Sequence, residues 1–107
     1  GHMIGKQFKT LANKPDFMFC ANDESAIGFL QALKLDGFKV PEDIAIAGFD
    51  NFFMTSYIHP AITTIGIDHV KWGHQVATAM IDILRGLPHD LKESPEGTIY
   101  WRESCQV

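Results

Sequence analysis

The sequence predicts an α/β domain with a mainly parallel sheet flanked by helices. Apolar segments of strand length alternate along the chain with amphipathic helix patterns, which is the order of elements in layered α/β folds. Two of the strand segments, residues 16–21 (DFMFCA) and 43–49 (DIAIAGF), are continuous apolar runs, and such runs are typical of buried parallel strands. With 107 residues, 46% of them hydrophobic and 21% charged, the chain has the balance of one globular domain or part of one.

The first half of the chain predicts helix, strand, helix and strand. Residues 6–13 are interpreted as the end of a helix because a proline follows them closely. The first strand is assigned to residues 16–21, where the chain is apolar throughout. Residues 24–36 carry a wide apolar stripe at helical spacing, and Gly37 ends it. The second strand is assigned to residues 43–49.

The second half predicts strand, helix and strand. Residues 62–67 (ITTIGI) are rich in β-branched side chains, which favours a third strand. A long helix is expected to begin at Asp68 as its N-cap and to end at Gly86. Residues 87–97 are predicted to be a polar loop. Residues 98–103 (TIYWRE) alternate enough to form a last, edge strand.

Charge and cysteine content argue against several classes of protein. The net charge of −4 comes with no cluster of Lys or Arg, so the usual surface of a nucleic-acid-binding domain is missing. Cys20 and Cys105 each lie in an apolar run, and we expect both to be reduced packing residues, as in a cytoplasmic protein. No window approaches the roughly 18 apolar residues of a membrane span. Residues 1–3 (GHM) are interpreted as a cloning scar and are left out of the fold prediction.

No pattern predicts catalysis, a metal site or a cofactor. His69 and His74 are spaced by five residues, which does not place two metal ligands on one helical face. The sequence has no glycine-rich phosphate loop, no G-x-S-x-G elbow and no Cys and His spacing that indicates a nucleophile. Trp72 and Trp101 could stack on a sugar, but packing within a predicted element is the favoured interpretation. We therefore expect a protein that is not an enzyme.

Polar residues follow two of the predicted strands. Asn22 and Asp23 follow the first and Asp50 follows the second. Parallel strands end at the same edge of a sheet, where ligands of open α/β folds bind, and amide and carboxylate groups suit a polyhydroxylated ligand. Structural roles are the alternative, with Asp23 capping a helix and Asn51 shaping a turn. A phosphoacceptor role for Asp50 is disfavoured because no lysine ends the strand at residues 62–67.

Five blocks of the sequence together resemble the C-terminal part of the effector-binding domain of the lactose-repressor (LacI) family of bacterial transcription regulators. They occur in order between residues 15 and 105: PDFMFCANDESAIGFLQAL, KVPEDIAIAGFDN, YIHPAITTI, the helix with Gly73, and WRESC. The resemblance implies a sensor of two α/β lobes, like the periplasmic sugar-binding proteins, with a small effector between them. It implies that Asn22 and Asp50 bind this effector, while Asp23 caps or supports the helix.

The resemblance also implies a homodimer formed through the C-terminal lobe. The loop at residues 51–61 carries many large apolar groups, and an interface would cover them. For residues 52–54 the alternative is that they fold back on their own lobe. The residues that match the interface of the family are Ala26, Phe29, Leu30, Leu33, Tyr57 and Ile58.

The resemblance further implies that residues 4–107 are a fragment of the sensor domain. Residues 4–66 and 98–107 correspond to the C-terminal lobe, and residues 67–97 to a segment of the N-terminal lobe. Ile67 stands where many members of the family have a polar residue that reaches the cleft. The apolar stripe of the long helix would lack its cover, so we expect a rearranged packing or an exchange between chains. This stripe consists of Val76, Met80, Ile81 and Leu84.

The function expected from these observations is the effector-sensing and dimerisation part of a cytoplasmic LacI-type regulator. Its partners would be a small molecule, a sugar or a related compound, and a second copy of the chain. DNA would be bound only through a helix-turn-helix headpiece that this chain lacks. An extracytoplasmic sugar-binding protein of the same fold stays open as the alternative.

Overall fold

Three parallel strands and three α-helices form the main part of the computed structural model, which describes residues 1–88 and 94–106. The order of the predicted elements is confirmed, and so is the mainly parallel α/β class. The helices are α1 (His2–Phe8), α2 (Asp23–Leu35) and α3 (His69–Leu84), and the strands are β1 (Phe17–Phe19), β2 (Ala45–Phe49), β3 (Thr63–Ile67) and β4 (Gly97–Tyr100). Two short 3-10 helices span Phe53–Ser56 and Glu103–Cys105.

The chain divides into two compact units. The first contains Gly1–Gly66 and Ile99–Val107, and the second contains Ile67–Thr98. The boundaries within the chain differ by no more than one residue from those of the two lobes that the resemblance implies. The assignment of residues 67–97 to a different lobe stays a prediction. Part of the predicted polar loop, residues 89–93, lies outside the described residues.

The sheet has the strand order β1-β2-β3-β4. β1 is parallel to β2, with Phe17 beside Ala45, and β2 is parallel to β3, with Ala47 beside Thr63. The carboxyl ends of these three strands therefore point toward one edge of the sheet. Asn22 lies just after β1 and Asp50 directly follows β2 at that edge.

The core of the first unit lies between α2, α1 and one face of the sheet. Phe8 of α1 contacts Phe29 edge to face, with ring centroids 5.9 Å apart, and also contacts Phe38 at 5.1 Å. Gly5 permits this close approach, because a Cβ at that position would overlap Ala32 of α2. Helix α1 includes His2 and Met3 of the expected cloning scar, and it ends at Phe8 rather than at residue 13.

Four of the six residues predicted for a dimer interface belong to this core. Ala26, Phe29, Leu30 and Leu33 are each no more than 1% exposed. A side chain without exposed surface cannot contact a second chain, so the structure corrects the prediction for these four positions. The reason is that the apolar stripe of α2 is needed to cover the sheet and α1 of its own chain.

Some apolar side chains that were predicted to be packed are exposed. Phe17 and Phe19 of β1 are about half exposed, so this edge strand is not covered on both faces in the described part of the chain. Trp101 is largely exposed, whereas Trp72 is half-buried. A continuous apolar run shows that a strand can be buried on both faces, but not that both faces are covered.

Both cysteines are free thiols, as expected. Cys20 is buried among the core residues, and this burial raises the pKa of its thiol. A protonated, buried thiol is a packing group of low reactivity. Cys105 is half-buried, with Sγ 3.1 Å from the carbonyl oxygen of Ile46.

The segment after β4 joins the first unit together. The buried hydroxyl of Ser104 accepts a hydrogen bond from the Thr63 N–H at 2.8 Å and donates one to the Ile46 carbonyl at 2.5 Å. The Ser104 N–H also donates to the carbonyl of Ala61. Residues close to the end of the chain thereby satisfy backbone groups of β2 and β3.

Glu103 makes a second contact of this kind. Its Oε2 accepts a hydrogen bond from the Ala61 N–H at 2.7 Å and lies 3.0 Å from Nδ1 of His59. The Ala61 hydrogen bond, and beyond it the charge of His59, lower the pKa of the Glu103 carboxyl. The ionised form of Glu103 is therefore the form that the folded chain prefers.

The second unit contains α3, whose ends are as predicted. Asp68 caps the helix through Oδ1, which accepts from the Lys71 N–H at 2.9 Å, and Gly86 ends it with a φ of +69°. The apolar stripe predicted to need a cover is more than a third exposed at every position. A rearranged packing or an exchange between chains stays a prediction. Within residues 1–88 and 94–106, no helix is long and apolar enough to cross a bilayer.

A substitution at Gly48 tests the packing of β2 against α2. A Cβ at this buried position would overlap the carboxylate of Asp23. We predict that Gly48→Ala lowers the free energy of unfolding by about 1–3 kcal/mol, because the carboxylate or the strand must move. Urea denaturation measures this loss. Gly73→Ala is the control, because a Cβ there meets nothing within 4 Å and alanine favours helix by roughly 0.5–1 kcal/mol. Equal losses in the two variants would contradict the prediction.

The pH dependence of stability tests Glu103. Because the folded-state pKa lies below the ordinary value of 4.5, its contribution is fully present above the unfolded-state pKa and is lost as pH falls through the folded-state pKa. We predict that Glu103→Gln weakens the dependence of the thermal midpoint on pH between about pH 5 and pH 2. Glu42→Gln is the control, since Glu42 is exposed and makes no side-chain hydrogen bond in the described part of the chain. A Glu103→Gln profile parallel to that of the unmodified chain would refute this role.

Candidate binding site at the carboxyl ends of the strands

Asn22 is the N-cap of α2. Its backbone is extended, with φ −153° and ψ 167°, and its Oδ1 accepts a hydrogen bond from the Ser25 N–H at 2.8 Å. The cap of α2 is therefore Asn22, and the expectation that Asp23 caps this helix is wrong. The Asn22 side chain is half-buried, and its amide nitrogen makes no hydrogen bond within residues 1–88 and 94–106. Asn22 thus caps the helix with its oxygen and keeps its N–H groups available for a ligand.

Asp23 is a buried carboxylate, with 1% of its surface exposed. Its Oδ2 accepts a hydrogen bond from the Phe52 N–H, and its Oδ1 accepts one from the Thr64 hydroxyl, both at 2.6 Å. Asp23 therefore supports the structure, as the resemblance allowed, by joining the start of α2 to β3 and to the loop that follows β2. No local sequence pattern indicates these partners, which lie 29 and 41 residues further along the chain.

Asp50 presents its carboxylate at the edge of the sheet. It directly follows β2, is exposed, and has a backbone φ of 105°. Its N–H donates to the carbonyl of Ile65 at 2.8 Å. Among the described residues, the Asp50 carboxylate accepts no hydrogen bond, so all of its acceptor positions are open to a ligand.

Asn51 shapes the turn, as one of the alternatives proposed. Its φ of 52° lies in the left-handed region, which Asn tolerates better than most residues. The Asn51 side chain accepts a hydrogen bond from Nη2 of Arg102 at 2.8 Å. Nη1 of the same guanidinium donates to the Thr55 hydroxyl at 2.8 Å and to the Ile62 carbonyl at 2.9 Å. Arg102 therefore fixes the turn to the segment in front of β3.

The two predicted ligand-binding residues lie at the same edge of the sheet. β1 and β2 are adjacent, parallel and in register, with Phe19 beside Ala47. Asn22 offers a hydrogen-bond donor there and Asp50 offers acceptor oxygens, a combination that matches sugar hydroxyls. Their role in binding stays a prediction.

The residues that support this edge do not stand out in the sequence. Thr64 and Arg102 lie in the segments predicted as the third and the last strand, and a strand pattern does not indicate which distant groups they bond. An arginine in an apolar, strand-like segment is the one signal that could have indicated a buried hydrogen-bonding role. Among the described residues, no group of three His, Cys, Asp or Glu side chains could hold a metal ion.

Comparison with known proteins gives a consistent set of matches. The family model of the periplasmic binding protein-like domain matches residues 2–105. The NTD biosynthesis operon regulator NtdR of Bacillus subtilis (strain 168) is 36% identical over 86 residues, which are 80% of this chain. The HTH-type transcriptional repressor CytR of Escherichia coli (strain K12) has the same identity over the same length. The chain spans only 26% and 25% of the length of these two relatives.

Solved structures agree with these matches. A LacI family transcriptional regulator from Arthrobacter sp. FB24 in complex with lactose aligns with a TM-score of 0.83 and 25% identity, over 98% of this chain and 40% of its own. A LacI family regulator from Lactobacillus casei with bound sucrose aligns with a TM-score of 0.76 and 27% identity, over 97% of this chain and 39% of its own. This chain therefore belongs to the family of periplasmic binding protein-like domains, in the form that LacI-family transcriptional regulators carry.

Proposed function

We propose that this chain is the effector-sensing and dimerisation part of a LacI-type transcriptional regulator. The observation that carries the proposal is the pair of available groups at the sheet edge, the amide N–H of Asn22 and the carboxylate of Asp50. The effector is a small molecule of the sugar class, which the lactose and sucrose in two related structures support. The regulator acts in the cytoplasm, is not an enzyme, and contacts DNA through a helix-turn-helix part outside this chain.

The chemistry of the two groups suits a sugar. A carboxylate can accept hydrogen bonds from two neighbouring hydroxyls, and hydrogen bonds to a charged acceptor are stronger than neutral ones. The amide of Asn22 donates to a hydroxyl or ring oxygen of the same ligand. Other groups of a cleft must come from the rest of the sensor, so this chain alone is expected to bind an effector weakly or not at all.

Effector binding regulates through linkage. An effector shifts the equilibrium between two arrangements of the regulator only by its difference in affinity for them. The arrangement that it favours sets the spacing of the two DNA-binding parts in a dimer. The same linkage requires that operator DNA changes the affinity of the regulator for its effector.

The alternative function is capture of a sugar outside the cytoplasm by a protein of the same fold. The two named relatives and both named structures are transcriptional regulators, which supports the regulator over the alternative. Binding of a DNA fragment from the promoter region of its own gene, by the full-length gene product, tests this choice. Retention of a labelled fragment that an unrelated fragment does not displace is the expected result.

A patch of exposed apolar side chains supports dimerisation. We call Phe52, Phe53, Met54 and Tyr57 the loop patch. Each of the four is exposed, and Tyr57 is 80% exposed. The ring centroids of Phe52 and Phe53 lie 4.7 Å apart, and those of Phe53 and Tyr57 lie 6.4 Å apart. Phe53 is 63% exposed, whereas Phe52 and Met54 are largely covered by their own chain. Phe53 and Tyr57 are therefore the members of the patch most open to an interface.

The two remaining residues of the proposed interface differ in exposure. Tyr57 belongs to the loop patch, while Ile58 is partly buried and packs against the core of its own unit. We therefore propose that Tyr57 makes the larger contact with a second chain and that Ile58 supports the loop from beneath.

Substitution of Asp50 tests the effector site. We predict that Asp50→Asn weakens sugar binding by the full-length regulator by about 10- to 100-fold, because a hydrogen bond to a charged acceptor is worth roughly 1.5–3 kcal/mol. Isothermal titration calorimetry with lactose and with sucrose measures the effect. Asp16→Asn is the matched control, since Asp16 is exposed and precedes β1 at the opposite end of the strands. If either sugar binds the unmodified regulator and Asp50→Asn leaves its affinity unchanged, Asp50 is not an effector contact.

Substitution of the loop patch tests the dimer. We predict that the double variant Phe53→Ser with Tyr57→Ser shifts the full-length regulator from dimer to monomer at micromolar concentration, because aromatic anchors dominate interface energies. Sedimentation equilibrium measures the mass. Trp101→Ser removes a similarly exposed aromatic side chain outside the patch and should leave the dimer intact. A dimer that persists unchanged in the double variant would place the interface elsewhere.

A further inference from the structure

The loop Asp50–Phe52 has a backbone conformation that needs support. Asp50 and Asn51 are consecutive non-glycine residues with positive φ, at 105° and 52°. Side chains on L-residues disfavour this region, and such conformations persist only where surrounding contacts hold them. The contacts that hold this loop therefore determine where the Asp50 carboxylate points.

Three consecutive backbone amides of the loop are hydrogen-bonded. The Asp50 N–H donates to the Ile65 carbonyl at 2.8 Å. The Asn51 N–H donates to the Thr64 hydroxyl oxygen at 3.2 Å, and the Phe52 N–H donates to Oδ2 of Asp23 at 2.6 Å. Since the Thr64 hydroxyl donates its own proton to Oδ1 of Asp23 at 2.6 Å, two of the three amides depend on Asp23.

The Asp23 carboxylate makes no other hydrogen bond in the described part of the chain. It does not cap α2, because Asn22 does so. It cannot touch a ligand in this conformation, because it is 1% exposed and both of its oxygens are occupied. Burial of a carboxylate is costly unless it is hydrogen-bonded, and the hydrogen bonds that offset this cost are those of the loop.

From these contacts we infer that Asp23 is a positioning residue, which sets the conformation of Asp50–Phe52 and thereby the direction of the Asp50 carboxylate. The part of this inference that concerns effector affinity rests on the proposed function of Asp50. Thr64 carries the effect of Asp23 to the Asn51 amide. Arg102 holds the side chain of Asn51 separately, through a hydrogen bond of 2.8 Å.

The geometry favours aspartate at this position. Asparagine would offer one acceptor oxygen where the Phe52 N–H and the Thr64 hydroxyl each need one. Glutamate would need space for an additional methylene group, whereas Asp23 already lies so close to Gly48 that a single Cβ there would overlap its carboxylate. Asp23→Asn is therefore the smallest change that removes one of the two interactions.

Hydrogen exchange of backbone amides in the 107-residue chain tests the positioning directly. We expect Asp23→Asn to raise the exchange rates of the Asn51 and Phe52 amides by at least about tenfold relative to core amides. The Cys20 amide, which donates to Ala47, is the core reference. Glu24→Gln is the matched control, since it removes the same charge from the next, exposed residue, and the loop amides should then exchange as in the unmodified chain.

A second pair of variants keeps the test decisive if Asp23→Asn does not fold. Thr64→Val removes the hydroxyl at nearly constant volume and should accelerate the Asn51 amide. Thr64→Ser keeps the hydroxyl and should restore slow exchange, which a purely packing role of Thr64 would not produce. Loop amides that exchange at unchanged rates relative to the core in both Asp23→Asn and Thr64→Val would overturn the inference.

Sugar binding by the full-length regulator separates this inference from the proposed function. With lactose and sucrose as probes, Asp23→Asn should weaken binding by about tenfold, while Glu24→Gln should leave it within about twofold. Unchanged binding in Asp23→Asn, together with loss in Asp50→Asn, would refute the link to affinity and leave the effector site standing. Accelerated loop amides in a protein that binds neither sugar would support the positioning of Asp50 and count against sugar as the effector.

Discussion

The buried carboxylate of Asp23 is the interaction on which the edge of the sheet depends. A buried charge destabilises a fold unless strong hydrogen bonds compensate for its lost hydration. Here the compensating donors are the Phe52 N–H and the Thr64 hydroxyl. The Asp23 carboxylate therefore holds three parts of the chain together: the start of α2, strand β3, and the loop that follows β2. The arrangement also requires that Gly48 has no side chain.

This constraint divides the polar residues at the strand ends into two kinds. Asp23, Thr64 and Arg102 use their hydrogen-bonding groups within the chain, whereas the Asp50 carboxylate and the amide nitrogen of Asn22 have no partner in the described part of it. A binding site needs both kinds, because groups that face a ligand hold a defined geometry only when others fix the backbone beneath them. The closing segment takes part in this, since Arg102 and Ser104 contact residues up to 58 positions earlier in the sequence.

The apolar surfaces follow a similar division. The apolar side chains of α2 are buried in the core of their own unit, while the loop patch and the apolar stripe of α3 are exposed. Exposed apolar surface of this extent usually marks a site that another surface covers. The chain spans about a quarter of the length of its curated relatives. We therefore propose that the rest of the regulator covers the stripe of α3 and that a second copy covers the loop patch.

The α/β class, the order of strands and helices, both ends of α3 and the resemblance to LacI-type sensors follow from the residues alone, because periodicity, caps and motif order are local properties. The residues alone also predict that Asn22 and Asp50 lie at one edge of the sheet, since neighbouring parallel strands end at the same edge. The folded chain was needed to show that Asn22 rather than Asp23 caps α2, because both residue types make good caps and the choice depends on one backbone conformation. It alone decided that Ala26, Phe29, Leu30 and Leu33 are buried, because helical spacing identifies an apolar face but not what covers it. The roles of Thr64 and Arg102 rest on hydrogen bonds between residues far apart in sequence, and no local pattern encodes such partners.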